Sequence, residues 1–219
     1  MLDKEYIEQF NGVKELLKVF DELDRHITMY SSKAGYTCLK NCANCCNRAS
    51  YHIETSVFEM IPAALYLWQN GYSEEFIMKL NSMDDSQPCV FYTPDFLKKN
   101  MEGGCGLYHY RGLICRVFNF SAIHSKDGAL LPVICKYLKQ SEPDLEKTVL
   151  EKIAKGLDVP VSVNYHDQIL YLNYPLALEK FGINESLKKA LEYVSFRLSM
   201  LGYTPNPDSP PNSPPVNAA

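Results

Sequence analysis

The sequence predicts an α+β protein that is mainly helical, with an irregular, cysteine-rich middle region of short strands flanked by helices. Three observations carry that expectation. Apolar residues recur at a helical period towards both ends of the chain. The middle breaks into short apolar and aromatic pieces divided by glycines and crossed by the chain's eight cysteines. The final stretch, Thr204 to Ala219, is rich in proline and carries no large apolar residue except Val216, so it cannot bury a core.

From Tyr6 to about Tyr30, residues Ile7, Phe10, Val13, Leu17, Phe20, Leu23 and Ile27 share one face, which predicts a long amphipathic helix ended by Gly35. Ser56 with Glu59 three residues on has the form of a capping box, opening a helix towards Trp68 that stops at Gly71. Pro62 is expected to kink that helix or to move its start. Ser73, Glu74 and Glu75 open another short helix, ending before the turn residues Asp84 to Pro88.

Between Cys89 and Cys135, the pieces Val90 to Tyr92, Leu113 to Phe120 and Leu130 to Ile134 suit short strands and loops. Ser141 and Asp144 are expected to cap a helix with Leu145, Val149, Leu150 and Ile153 on one face, closed by Gly156. A last helix runs from about Asn184 to Met200, with Leu187, Leu191, Val194 and Leu198 inward. Residues 1–203 then form one metal-binding domain, with a cysteine-cluster core at 36–140 and helical flanks at 1–35 and 141–203. Residues 204–219 form a disordered tail.

The formal net charge is -4 over 219 residues, and no basic cluster argues for nucleic acid or an anionic membrane. Met1 to Phe10 holds no apolar stretch of signal-peptide length. Val57 to Trp68, the longest mostly apolar stretch, is interrupted by Glu59 and Pro62 and falls short of the roughly 20 residues that span a bilayer. A cytoplasmic protein is expected, with no nucleic-acid or membrane partner.

A reducing compartment disfavours disulfides and turns the cysteines towards metal. Cys38, Cys42, Cys45 and Cys46 form a CxxxCxxCC run, and steps of three and four place side chains on one face of a helical turn or around a knuckle. Adjacent Cα atoms sit about 3.8 Å apart, below the usual disulfide span, so Cys45 and Cys46 are not expected to pair. Thiolates are soft donors that suit zinc and iron-sulfur clusters. With Cys89, Cys105, Cys115 and Cys135, eight candidate ligands allow two four-sulfur sites, an iron-sulfur cluster beside a zinc, or one polynuclear site. Around Cys105, the glycines at 103, 104 and 106 would let backbone N–H groups approach a sulfur. Arg111 and Arg116 could offset the charge of several thiolates.

The CxxxCxxC spacing also matches the cluster motif of radical S-adenosylmethionine enzymes, but the chain lacks repeated βα units and has a fourth cysteine directly after the third. A closer likeness adds Pro88–Tyr92, Cys105–Tyr108 and Arg111–Phe118 to the first run. Over Cys38 to Cys135 the chain resembles the YkgJ-like cysteine cluster family, described as zinc- or iron-chelating proteins. One departure is Gly112, where that family commonly has proline. The resemblance includes flagellin N-methylases, which implies an iron-sulfur cluster or iron as the favoured cofactor, zinc as an alternative or addition, and S-adenosylmethionine as a methyl donor.

His109, between Cys105 and Cys115, is the best-placed histidine for a replacement ligand or proton carrier. Tyr108, Tyr110, Tyr165, Tyr171 and Tyr174 could line a substrate pocket, although such residues more often build the core. The expected function is metal binding by the cysteine cluster, most concretely in an iron-dependent enzyme that modifies a protein or peptide, such as a lysine N-methyltransferase. The alternatives are a zinc-stapled binding module and an iron-sulfur electron carrier.

Overall fold

Helix supplies most of the regular structure in the computed structural model, which describes residues 2–38, 42, 44–92 and 104–205. Short α1 (Lys4–Ile7) is followed by α2 (Val13–Ala34), so the single helix expected from Tyr6 is two. Gly12 makes the break. Its φ of 80° is left-handed, and a Cβ there would lie 2.8 Å from the Leu172 carbonyl oxygen, so the chain turns where only glycine fits. The predicted stop at Gly35 holds, with its N–H bonded to the Ser31 carbonyl.

Strand β1 (Glu54–Ser56) leads into α3 (Val57–Gln69) through the expected capping box: Ser56 Oγ accepts from the Glu59 amide, and the Glu59 carboxylate accepts from the Ser56 amide. Helix α3 is apolar all round and buried from Phe58 to Leu65, which places it at the centre of the fold. Pro62 lies inside it and does not move its start. Helix α4 (Ser73–Ser82) follows as predicted.

The run Leu113 to Phe120 is not a strand. It opens as helix α5 (Leu113–Val117), which buries Leu113 and Val117, four residues apart, and leaves Ile114 exposed. Strands β2 (Ser121–His124) and β3 (Leu130–Val133) form an antiparallel hairpin with Ser121 opposite Val133. Helix α6 (Lys136–Ser141) ends where a cap for the next helix was expected: Ser141 Oγ donates to the Leu138 carbonyl. Asp144 precedes α7 (Leu145–Ala154) without a side-chain capping bond.

Helices α8 (Ser162–Leu172) and α9 (Tyr174–Ala177) and strand β4 (Lys180–Gly182) were not anticipated. β4 pairs antiparallel with β1, Ser56 opposite Lys180. Helix α10 (Ile183–Met200) buries Leu187, Leu191, Val194 and Leu198 as expected, packing chiefly on α3.

Two groups of buried residues result. The larger joins α2, α3, α4 and α10 and reaches Cys89, Val90, Leu107 and Leu113. The smaller joins Tyr30 and Ala34 of α2 to Ala122, Ile134, Leu138 and Val149 beneath the hairpin. No described helix is long and apolar enough to cross a membrane. The expected disordered tail lies outside the described residues from position 206 onwards.

Candidate metal centre

The cysteines sit on irregular backbone that borders the larger core. Cys89 follows the turn at Asp84–Gln87, is buried, and is bracketed by Asn184 of α10: the Asn184 side chain accepts from the Val90 N–H at 2.8 Å and donates to the Pro88 carbonyl at 3.1 Å. Cys105 is tied to the same segment by an isolated bridge to Tyr92 and by the Gly106 N–H, which donates to the Phe91 carbonyl at 2.8 Å. Cys115 lies within α5.

Backbone amides favour the thiolate form at three sulfurs: Phe91 at Cys89, Leu107 at Cys105, and Cys45 and Cys46 at Cys45. The glycine amide at 106 is spent on a carbonyl instead, and Gly103 lies outside the described residues. Such N–H groups favour thiolate over thiol and orient the sulfur.

Cys45, Cys46, Cys89, Cys105 and Cys115 form one electrostatic group. Cys105 acts on the thiols of Cys46, Cys89 and Cys115, and Cys45 acts on those of Cys105 and Cys115. Burial raises Cys89 and Cys105, and raises Cys115 to about 12. Cys45 and Cys46 have sulfurs 3.8 Å apart. The hydrogen bond between them lowers Cys45 to about 6 and raises Cys46. Nearby, the Asn44 amide donates to the Cys42 sulfur at 3.3 Å.

Positive charge faces this group. The Arg111 guanidinium stacks 3.4 Å from the Tyr108 ring centroid, donates to the carbonyls of Tyr108 and Cys115, and opposes the upward shift of Cys105 and Cys115. Arg116 is buried, ion-paired to Asp24 of α2, and donates to the carbonyls of His109 and Arg111. It is therefore a clamp on the 109–111 turn rather than a solvated arginine. Burial lowers its pKa, against Asp24, and its charge still eases ionisation of Cys105.

Cys38 is exposed and borders a cavity of about 500 Å³ lined also by Ser31, Tyr36 and Glu142. Cys135 packs with Phe120, Leu130 and Ile153 against the smaller core, its N–H held by Asn119 Oδ1 at 2.8 Å. His109 is exposed, and its carbonyl is what Arg116 holds. The tyrosines do not share a pocket: Tyr171 and Tyr174 are exposed, Tyr165 meets His26, and Tyr110 meets Tyr66. Among the described residues, no three His, Cys, Asp or Glu side chains already converge on one ion.

Sequence reasoning missed Asn184, Asp24 and the long-range role of Glu59. Only the Ser56–Glu59 spacing signalled any of them, and it signalled a cap.

A sulfur-only donor set that runs from exposed Cys45 to buried Cys89, faced by arginine, fits a soft metal ion: the thiols raised by burial gain a cation to share. The chain is thus a metal-binding protein of the cysteine-cluster class. Residues 37–136 match the family model CxxCxxCC, "Putative zinc- or iron-chelating domain". No curated protein and no solved structure matches the chain.

Proposed function

We propose that the protein chelates a single zinc or iron ion through Cys45, Cys46 and sulfurs drawn from Cys89, Cys105 and Cys115, and that the ion staples the irregular layer to the helices. One observation carries the reading. Four sulfurs at about 2.3 Å from one ion lie about 3.8 Å from one another by tetrahedral geometry. The Cys45 and Cys46 sulfurs already stand 3.8 Å apart. That spacing suits two corners of such a site, supplied by neighbouring residues.

When bound, the ion would draw together segments that share little regular structure, which is the work of a structural metal. The protein's own groups do the rest: Phe91 and Leu107 amides orient two sulfurs, and Arg111 balances charge. Methyl transfer to a protein or peptide calls in addition for a pocket that takes S-adenosylmethionine beside the thiols, whereas the sulfur pair 3.8 Å apart calls only for an ion.

Metal and acid-labile sulfide content of protein purified anaerobically, with its visible spectrum, tests this. About one zinc or iron per chain without sulfide is expected. Stoichiometric sulfide with a brown chromophore would replace the single ion by a cluster, and metal-free protein with all thiols inert would remove the reading.

A further inference from the structure

Glu59 is a buried carboxylate whose two oxygens serve different parts of the fold. Oε1 accepts from the Ser56 amide at 3.2 Å, from the Ser56 hydroxyl at 3.0 Å and from Lys180 Nζ of β4 at 2.6 Å. Oε2 turns the other way and accepts from the Leu113 N–H at 2.8 Å.

That N–H is the first of α5. The residue before it, Gly112, has no side chain with which to cap the helix, so the cap comes from α3 instead. Cys115 stands two residues further on, close enough to feel the Glu59 charge. A Cβ at Gly112 would lie 2.8 Å from Thr55 Oγ1 and 3.4 Å from Glu59 Oε2. Glycine there lets the start of α5 lie against the carboxylate.

We infer that Glu59 is the positioning residue of the metal centre: through the Leu113 N–H it fixes where α5 presents the Cys115 sulfur, while Lys180 neutralises it. This rests on the chelation reading above. A five-residue helix has little stability of its own, so the direction of its sulfur depends on what holds its ends. Glu59 holds the first, and Arg111, bonded to the Cys115 carbonyl, the last. Partners of this kind around metal ligands commonly set affinity by roughly 10–100-fold.

Cobalt(II) titration of the full chain tests the inference, read by thiolate-to-cobalt absorption and by competition with a chromophoric chelator. Thermal unfolding of the metal-free proteins accompanies it. Glu59→Gln has one oxygen and one amide donor, so it cannot accept from Leu113 and from Lys180 and Ser56 together. Lys180→Met leaves both oxygens in place. Glu59→Gln is expected to bind cobalt roughly 10–100-fold more weakly, while Lys180→Met unfolds earlier yet binds close to the wild type. If Glu59→Gln does not fold, Gly112→Ala carries the same expectation, because it pushes α5 away from Thr55 and the Glu59 carboxylate while leaving both charges in place. Wild-type affinity in the folded variant, or losses in both variants that track their unfolding temperatures, overturns the inference alone. A wild type without thiolate-to-cobalt absorption overturns the chelation reading, and this inference with it.

Discussion

Gly112→Pro, made alone and together with Thr55→Ala, offers a measurement whose sign changes with the background. The backbone at 112 already suits proline, with φ -66° and ψ 171°, and Arg111 before it has φ -65° and ψ 144°, in the region a residue preceding proline prefers. Removing backbone freedom from the unfolded chain at such a site stabilises by about 0.4–1 kcal/mol. Against this stands the Cβ contact at 2.8 Å with Thr55 Oγ1. Overpacking of a buried site costs about 1–3 kcal/mol. Gly112→Pro alone should therefore lower the unfolding temperature by about 2–8 °C for a chain of this size. Thr55→Ala removes the obstructing oxygen, which is buried without a hydrogen-bond partner, so no bond is lost with it. In that background the proline should be neutral or raise the temperature by about 1–3 °C. Thermal and urea unfolding of the four proteins closes the cycle, with an expected coupling of about 1–3 kcal/mol. Equal losses from Gly112→Pro in both backgrounds would refute the steric account of glycine at 112.

Four further outcomes follow from the same geometry. Tyr30 and Tyr36 are raised by burial above the usual 10.0, so the unfolded chain loses those protons first: stability is full below pH 10 and falls above it. Urea midpoints from pH 8 to 11 should show that fall, and Tyr36→Phe should flatten it while costing about 1 kcal/mol at neutral pH for the bond to the Asn119 carbonyl. Metal uptake must displace protons from thiols held up by burial, Cys115 near 12 among them, whereas Cys45, near 6, is already ionised. Apparent zinc affinity should climb by about three decades per pH unit between pH 6.5 and 8, and a slope below about one would count against a site of four thiolates. Cys135→Ser should leave metal content unchanged, since Cys135 packs in the smaller core, while Cys46→Ser should lower it; equal losses by elemental analysis would place both at the centre. Chelator treatment should leave the far-ultraviolet helical signal largely intact while speeding thiol labelling, and wholesale loss of helix would show that the ion folds the entire chain.

Several signals in the sequence hold because both partners lie within a few residues, although Ser141 and Asp144, equally local, do not cap α7. The capping box of Ser56 and Glu59, the stop at Gly35 and the inward face of Leu187 to Leu198 are of this kind. The other half of Glu59 was illegible, because its partners Leu113 and Lys180 lie 54 and 121 residues away. Leu113 to Phe120 reads as strand because a short apolar run has no period long enough to separate strand from helix, and the carboxylate that caps it lies 54 residues away. The cysteine run announced a soft metal, and its adjacent pair does stand at ligand spacing. Which later cysteines join that pair depends on how the core divides, and Cys135 falls on the other side of that division.

The anchors of the cysteine layer share one design. Asp24 on α2 holds Arg116, Glu59 on α3 holds the Leu113 amide, and Asn184 on α10 holds the chain on both sides of Cys89. Each is a polar side chain reaching from a helix of the larger core, and each grips either backbone or a clamp on backbone within two residues of a cysteine. A small zinc-dependent domain folds only when its ion arrives, because no core exists to hold the ligands beforehand. Here Leu16, Phe20, Leu65, Trp68, Leu187 and Val194 are buried in a core built mainly of helix side chains. The ordering cost of the cysteine segments is therefore met largely by the helices, leaving less of the ion's binding energy to be spent on folding and more to appear as affinity. On that account the polar anchors set how tightly the metal is held, and the apolar helices set whether there is a protein to hold it.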